Sequence, residues 1–243
     1  MSIQRFLIAG IKVEMDVKGQ LLSERSEKYR FDFDGKPDMF LSAPEDKMDI
    51  VRKSSPNLSD DQIEYICTST FFYHKLLKFD GFLIHSSAIQ YNGKAYLFTA
   101  DCGPGKSTHT ALWRKYLGEK ATIINDDKPA IRLIDGKFYA VGTPWSGKTA
   151  QNENVSVPVG SVAILTRSKE NFIKPAENTF AVRNLLRQTI IVPTVEELDV
   201  LSGFMDKFIR TVPIFHLGCD MSENAVKTSF EAMTHEKYIS KGL

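Results

Sequence analysis

Ala100-Asp101-Cys102-Gly103-Pro104-Gly105-Lys106-Ser107 decides how this chain reads. The apolar run Tyr96-Leu97-Phe98 precedes it. The segment after it carries Leu112, Trp113, Tyr116 and Leu117 as the apolar positions of a helix that Gly118 stops. Strand, glycine-rich loop and helix in that order make a P-loop. The loop amides wrap phosphates, and the helix N-terminus adds the positive end of its dipole. Ala100 stands where the usual G-x-x-x-x-G-K-[ST] pattern has its first glycine. A second window, Gly142-Thr143-Pro144-Trp145-Ser146-Gly147-Lys148-Thr149, matches the pattern in full. Its continuation, Gln151 to Pro158, is polar, then β-branched, then proline, and makes a poor helix. Context outweighs letters. The phosphates of a nucleoside triphosphate, ATP by default, are therefore assigned to Cys102, Gly103, Pro104, Gly105, Lys106, Ser107 and Thr108. The bland alternatives are a helix-capping turn at Lys106 and a solvated loop at Lys148.

Asp126-Asp127 follows the short strand Ala121–Ile124, just after the helix that Lys106 opens. In a βαβ unit the end of that strand lies on the same rim as the phosphate loop. One carboxylate there can share Mg²⁺ with the Ser107 hydroxyl. The other can take a proton from an attacking hydroxyl, an effect worth about 10²–10⁴ in rate. Two acids so close titrate as a pair. The competing reading is an Asp-capped turn. His85, inside Leu83-Ile84-His85-Ser86-Ser87, reads on its own as a structural histidine in mid-strand.

The rest of the chain alternates strands and helices. Residues 3–14 and Tyr29–Phe33 read as strands, with a turn at Asp34-Gly35. Residues 42–58 read as a loop or short helix. Ser59-Asp60-Asp61 opens a helix reaching about Leu77. Phe82–Gln90 and Lys94–Phe98 read as a hairpin around Asn92-Gly93, and Ala130–Ile134 and Lys137–Val141 as one around Asp135-Gly136. A polar loop over 142–158 precedes a strand at Val159–Leu165. Helices are expected near 177–188 and 194–209, the second opened by Pro193 and Thr194. A strand over Pro213–Leu217 and a helix capped by Ser222 close the chain.

The 243 residues suit one generous domain, or a core with an accessory unit. A hydrophobic fraction of 42% and a charged fraction of 25% are those of a soluble globular protein. A net charge of +1 argues against nucleic acid or an anionic membrane as partner. Phe6–Ile11 is too short to span a bilayer, and no small-residue cleavage site follows it, so the expected location is cytoplasmic. Cys67, Cys102 and Cys219 fit neither a disulfide framework nor a zinc spacing.

His85-Ser86-Ser87-Ala88, Gly103-Pro104-Gly105-Lys106-Ser107-Thr108, Asn125-Asp126-Asp127 and Gly142-Thr143-Pro144-Trp145-Ser146-Gly147, in that order, resemble the kinase domain of HPr kinase/phosphorylase and its smaller relatives. That fold is similar to the nucleotide-binding core of phosphoenolpyruvate carboxykinase. The resemblance spans residues 80–235. It implies an α/β fold: a mixed-sheet P-loop kinase core over 79–243, with a small N-terminal α+β extension over 1–78 packed on it. It implies ATP and Mg²⁺ as cofactors and transfer of the γ-phosphate to a serine of a peptide or protein. Lys106 and Ser107 would serve nucleotide and metal. Asp126 and Asp127 would supply the base and a metal contact, the latter on Asp127. His85 would join the catalytic group, and Gly147 and Lys148 would face the acceptor. A homo-oligomer stays open. The rival functions are a nucleotide-binding recognition module without catalysis, and a small-molecule kinase.

Overall fold

The computed structural model describes residues 2–101, 105–190 and 194–239. The N-terminal apolar run, expected as one strand, divides into β1 (Ser2–Ile8) and β2 (Ile11–Val17). Ala9 and Gly10 both take positive φ and turn the chain into an antiparallel hairpin. After α1 (Gln20–Ser26), the expected strand at Tyr29–Phe33 does not form. Glu27–Tyr29 is a short 3-10 helix, and only Arg30 bridges back to Phe6. The alternation there reflects two buried rings, Tyr29 and Phe33, flanking the exposed Phe31, rather than a strand in a ladder. β3 (Met39–Leu41), for which the sequence gives no signal, adds parallel to β2. The polar stretch 42–58 contains α2 (Glu45–Ser54). In α3 (Asp60–Leu76), Ser59 and Gln62 form the reciprocal capping box that two otherwise orphaned amides require.

The expected strand over Phe82–Gln90 breaks into β4 (Gly81–Leu83) and β5 (Ser86–Tyr91). His85 is thus a joint between strands, not a mid-strand residue. Its amide donates to Gln188 O at 2.6 Å and its carbonyl accepts from Thr99 Oγ1 at 2.9 Å, so its main chain bonds outside the ladder. β6 (Lys94–Thr99) and α4 (Lys106–Leu117) follow as expected. β7 (Ala121–Asp127) runs past Ile124, so the two aspartates belong to the strand rather than to a turn after it. β8 (Ala130–Ile134) and β9 (Lys137–Val141) form the second hairpin. β10 (Ser156–Arg167) begins inside the stretch expected as loop, and β11 (Phe172–Pro175) was not expected. α5 (Asn178–Arg187), α6 (Val195–Thr211), β12 (Ile214–Cys219) and α7 (Glu223–Thr234) complete the chain. Thr194 and Ser222 cap α6 and α7 through their hydroxyls. Pro193 lies outside the described residues.

The protein is thus mixed α/β, with seven α-helices among the described residues, a small N-terminal sheet and a large mixed sheet. The large sheet runs β4-β8-β9-β10-β6-β5-β7, with β12 beside β10 and β11 beside β12. β6, β10 and β12 are parallel. β5 is antiparallel to both β6 and β7, so β7 points the same way as β6, reached through α4. The C-terminal ends of β6, β7, β10 and β12 therefore share one rim. Trp113 and Leu117 of α4 pack on one sheet face with Phe98, Ile123 and Phe230. Ile124, Phe82, Leu185 and Phe208 fill the other face. A third cluster joins Phe6, Met15 and Tyr29 to Phe72, Leu83 and Trp145, seating the N-terminal sheet on the large one. Each large side chain so buried stabilises by about 1.5–3 kcal/mol. Among the described residues no helix is long and apolar enough to cross a membrane. Cys67 and Cys219 are free thiols.

Two consequences are measurable. A Cβ at Gly142 would lie 1.7 Å from the Glu153 carbonyl oxygen. Gly142→Ala should cost about 1–3 kcal/mol. An unchanged thermal midpoint would contradict the close approach. His109, on α4, is 2% exposed and meets Ser229 Oγ at 2.9 Å, and burial pushes its pKa down to about 4. The unfolded chain takes up this proton below about pH 6.5, while the folded chain refuses it until about pH 4. The stability is complete above pH 6.5 and declines as pH falls toward 4, by about 1.4 kcal/mol per pH unit. His109→Gln should flatten that part of the urea-midpoint profile. A mutant profile parallel to the wild type would rule the histidine out as its source.

Candidate functional site

Asp126 and Asp127 end β7, on the rim where β6 leads into α4. β7 is the outermost strand, and the 142–153 segment covers its open edge. Asp126 N–H donates to Gln151 O at 3.0 Å, and Asp126 O accepts from Gly147 N at 2.8 Å. Glu153 N donates to Ile124 O at 2.9 Å. Isolated bridges join Asn125 to Asn152 and Asp127 to Ser146. The unpaired edge is thereby satisfied by an irregular loop instead of another strand. A Cβ on Gly147 would sit 2.6 Å from Asp126 O, so the loop approaches this closely only with glycine there.

Asp126 pairs across the ladder with Ser87, whose Oγ meets Thr110 Oγ1 of α4 at 2.7 Å. Directly paired residues share a sheet face, so Asp126 looks toward α4. It is 3% exposed. Its Oδ2 accepts from Thr149 Oγ1 at 2.8 Å, and its Oδ1 is buried with no hydrogen-bond partner among the described residues. Asp127 is turned to His85, whose Nε2 holds Oδ1 in a short contact. Burial by itself would raise the Asp127 pKa. The His85 hydrogen bond, and the charges of His85, Lys128 and Lys106, outweigh that and hold it below the ordinary 3.8. Asp127 is therefore a carboxylate at neutral pH. Burial in turn lowers the Lys128 pKa against the pull of Asp127, and its Nζ donates to Ser69 Oγ at 3.2 Å.

Lys106 opens α4, within electrostatic reach of Asp127. Gly105 is the N-cap residue, and no side chain among the described residues caps the helix. The first-turn amides of Lys106, Ser107 and Thr108 point off a helix end that a side chain normally neutralises. Cys102, Gly103 and Pro104, also expected on the phosphates, lie outside the described residues. Beside this turn opens a cavity of about 640 Å³, bounded by Thr108, Leu112, Leu165, Cys219 and Met221 among others. The Gly142–Thr149 window is a loop with no helix after it, as its proline-bearing continuation implies. Its Gly147 stands against the aspartates, and its Lys148 is exposed.

Sequence reasoning missed the residues that hold this loop. Arg25 Nη1 donates to Ser146 Oγ at 2.6 Å and to Gly147 O at 3.2 Å. The Tyr65 hydroxyl accepts from Ser146 N at 2.6 Å. Asn125 Nδ2 donates to Thr143 O at 3.0 Å and Trp145 O at 3.2 Å. Asn125 at least stands beside the acid pair in sequence. Arg25 and Tyr65 come from the N-terminal part, and no local pattern ties them to residues so far along the chain. α1, which carries Arg25, is itself anchored by α3. The buried Glu64 carboxylate accepts from Lys18 N at 2.9 Å and Gly19 N at 2.7 Å, and Asp61 accepts from Gln20 N at 3.1 Å.

No family model and no curated protein matches the sequence. Among solved structures the chain is similar to the HPr(Ser) kinase/phosphatase from Coxiella burnetii, with 11% identity over 63% of this chain and 93% of that chain and a TM-score of 0.35.

Proposed function

We propose that this protein is an ATP- and Mg²⁺-dependent phosphotransferase that acts on a hydroxyl, namely a serine of a peptide or protein. The observation that carries the reading is the buried Asp126, with one oxygen unpartnered and the other already accepting a hydroxyl, on the face of the sheet toward α4. A buried carboxylate oxygen left unpaired costs about 1–3 kcal/mol or more. An incoming ligand or proton donor on this face would satisfy it.

The triphosphate would lie on the first turn of α4, where the helix amides, the helix dipole and Lys106 all favour an anion. The cavity beside Thr108 and Leu112 would receive the base and ribose. The donor set is hard oxygen, from the Ser107 hydroxyl and Asp127, and it suits Mg²⁺. Among the described residues no group of three or more His, Cys, Asp or Glu forms a complete metal cage. A cation bound here would arrive with the nucleotide and take its remaining ligands from phosphate and water. Bound there, Mg²⁺ would supply charge neutralisation for the transferred phosphoryl group. Asp127, kept ionised by His85, Lys128 and Lys106, is ready to hold it. Asp126 is the base that would take the acceptor's proton, its Oδ2 sitting where a hydroxyl already donates. Gly147 and Lys148 would contact the acceptor.

Calorimetry with ATP and a transfer assay on serine-containing peptide pools test this. Lys106→Ala should lose nucleotide binding. Asp126→Asn should keep it and slow transfer by about 10²–10⁴. Equal transfer by the wild type and both variants would refute the assignment. Phosphate appearing on metabolites instead of peptides would replace the acceptor class.

A further inference from the structure

Thr149 ends the window that matches the phosphate-loop pattern in full, yet no helix follows it and the proposed nucleotide site does not use it. Its side chain has a different engagement. Thr149 Oγ1 donates to Asp126 Oδ2 at 2.8 Å, within the reach a general base needs for the proton it removes. The residue is otherwise exposed, while Asp126 is buried. A hydroxyl on a solvent-exposed residue is thus already seated on a buried carboxylate.

The backbone is shaped to hold it there. Ala150 N donates to Gly147 O at 3.3 Å, closing a tight turn in which Thr149 precedes the last residue. Ala150 has φ of 60°, a left-handed conformation that costs a residue with a Cβ about 1–2 kcal/mol. Gly147 is clamped to Asp126 O at 2.8 Å, and Arg25 and Tyr65 fix Ser146 and Gly147 from the N-terminal part. An ordinary surface threonine needs none of this. Holding a nucleophile and its base in register ahead of reaction is a large part of what a phosphoryl-transfer site contributes.

We propose that Thr149 is a self-phosphorylation site of this chain; this rests on the nucleotide reading given above. Thr149 Oγ1 attacks the γ-phosphorus of the bound nucleoside triphosphate. The Oγ–P bond forms, and the bond from that phosphorus to the β-phosphate oxygen breaks. The nucleoside diphosphate leaves with that electron pair, and the hydroxyl proton passes to Asp126. The product places a phosphate of charge near −2 beside two carboxylates. Asp126 passes the proton to solvent, and repulsion turns the phosphorylated Thr149 side chain away from it, which leaves that carboxylate to an external hydroxyl while the loop's main-chain bonds to β7 stay in place.

The test incubates the full chain with Mg²⁺ and ATP and no acceptor, then reads intact mass and maps the phosphate by fragmentation. One phosphate on Thr149 is expected, gained at a rate per molecule that does not change with protein concentration. Thr149→Ser should retain the label and Thr149→Val should lose it, with circular dichroism confirming that both fold. Asp126→Asn should slow labelling on the order of 100-fold or more. Label on another residue, or an unlabelled chain that still binds ATP through Lys106, would overturn this proposal and leave the nucleotide reading standing. Failure of the wild type to bind ATP would remove both.

Discussion

The site depends on the three main-chain hydrogen bonds that pin the 142–153 segment along the open edge of β7. They run from Gly147 to Asp126, from Asp126 to Gln151 and from Glu153 to Ile124. Without them the end of β7 would present bare amides and carbonyls, and the two carboxylates would hang in water. With them, Asp126 is enclosed between strand, loop and α4. The segment has no strand pattern of its own. It fits because Gly142 and Gly147 let its backbone approach to distances no side chain would tolerate.

The N-terminal part secures that arrangement from outside. Glu64 and Asp61 on α3 satisfy amides at the start of α1, the role an N-cap side chain would play. α1 then presents Arg25 to Ser146 and Gly147, Lys28 donates to Asn152 O at 2.7 Å, and Tyr65 grips Ser146. Trp145, from the same loop, is wholly buried among Phe72, Tyr73 and the N-terminal sheet. Loosening the N-terminal sheet would thus reach the aspartates through packed side chains, although none of its residues touches them. The first 78 residues brace the loop at least as much as they enlarge the molecule.

What could be seen in the sequence follows from how local each determinant is. α4 was legible because its glycine start, apolar spacing and Gly118 stop all lie within one short window, and the hairpins at Asn92-Gly93 and Asp135-Gly136 for the same reason. The rim that gathers Lys106 and the aspartates was legible because a strand–helix–strand crossover makes its two strands parallel, so their C-terminal ends lie on one side. The break at His85 was not. An apolar run through Phe82–Gln90 looks continuous, and the bonds that divert it come from Gln188 and Thr99. β3 and β11 are short and take their pairing from distant strands. Arg25 and Tyr65 act on the loop through tertiary contacts alone, which no periodicity can encode.

Two adjacent acids at the end of a buried strand are an electrostatic burden, and the chain treats them unequally. Asp127 receives His85 directly and feels Lys128 and Lys106, so its charge is compensated and its proton is lost early. Asp126 receives a neutral hydroxyl on one oxygen and, among the described residues, nothing on the other. Only Asp127 is compensated by charge, while Asp126 is held by a neutral hydroxyl. That inequality is set by His85 on one side and by Thr149 on the other.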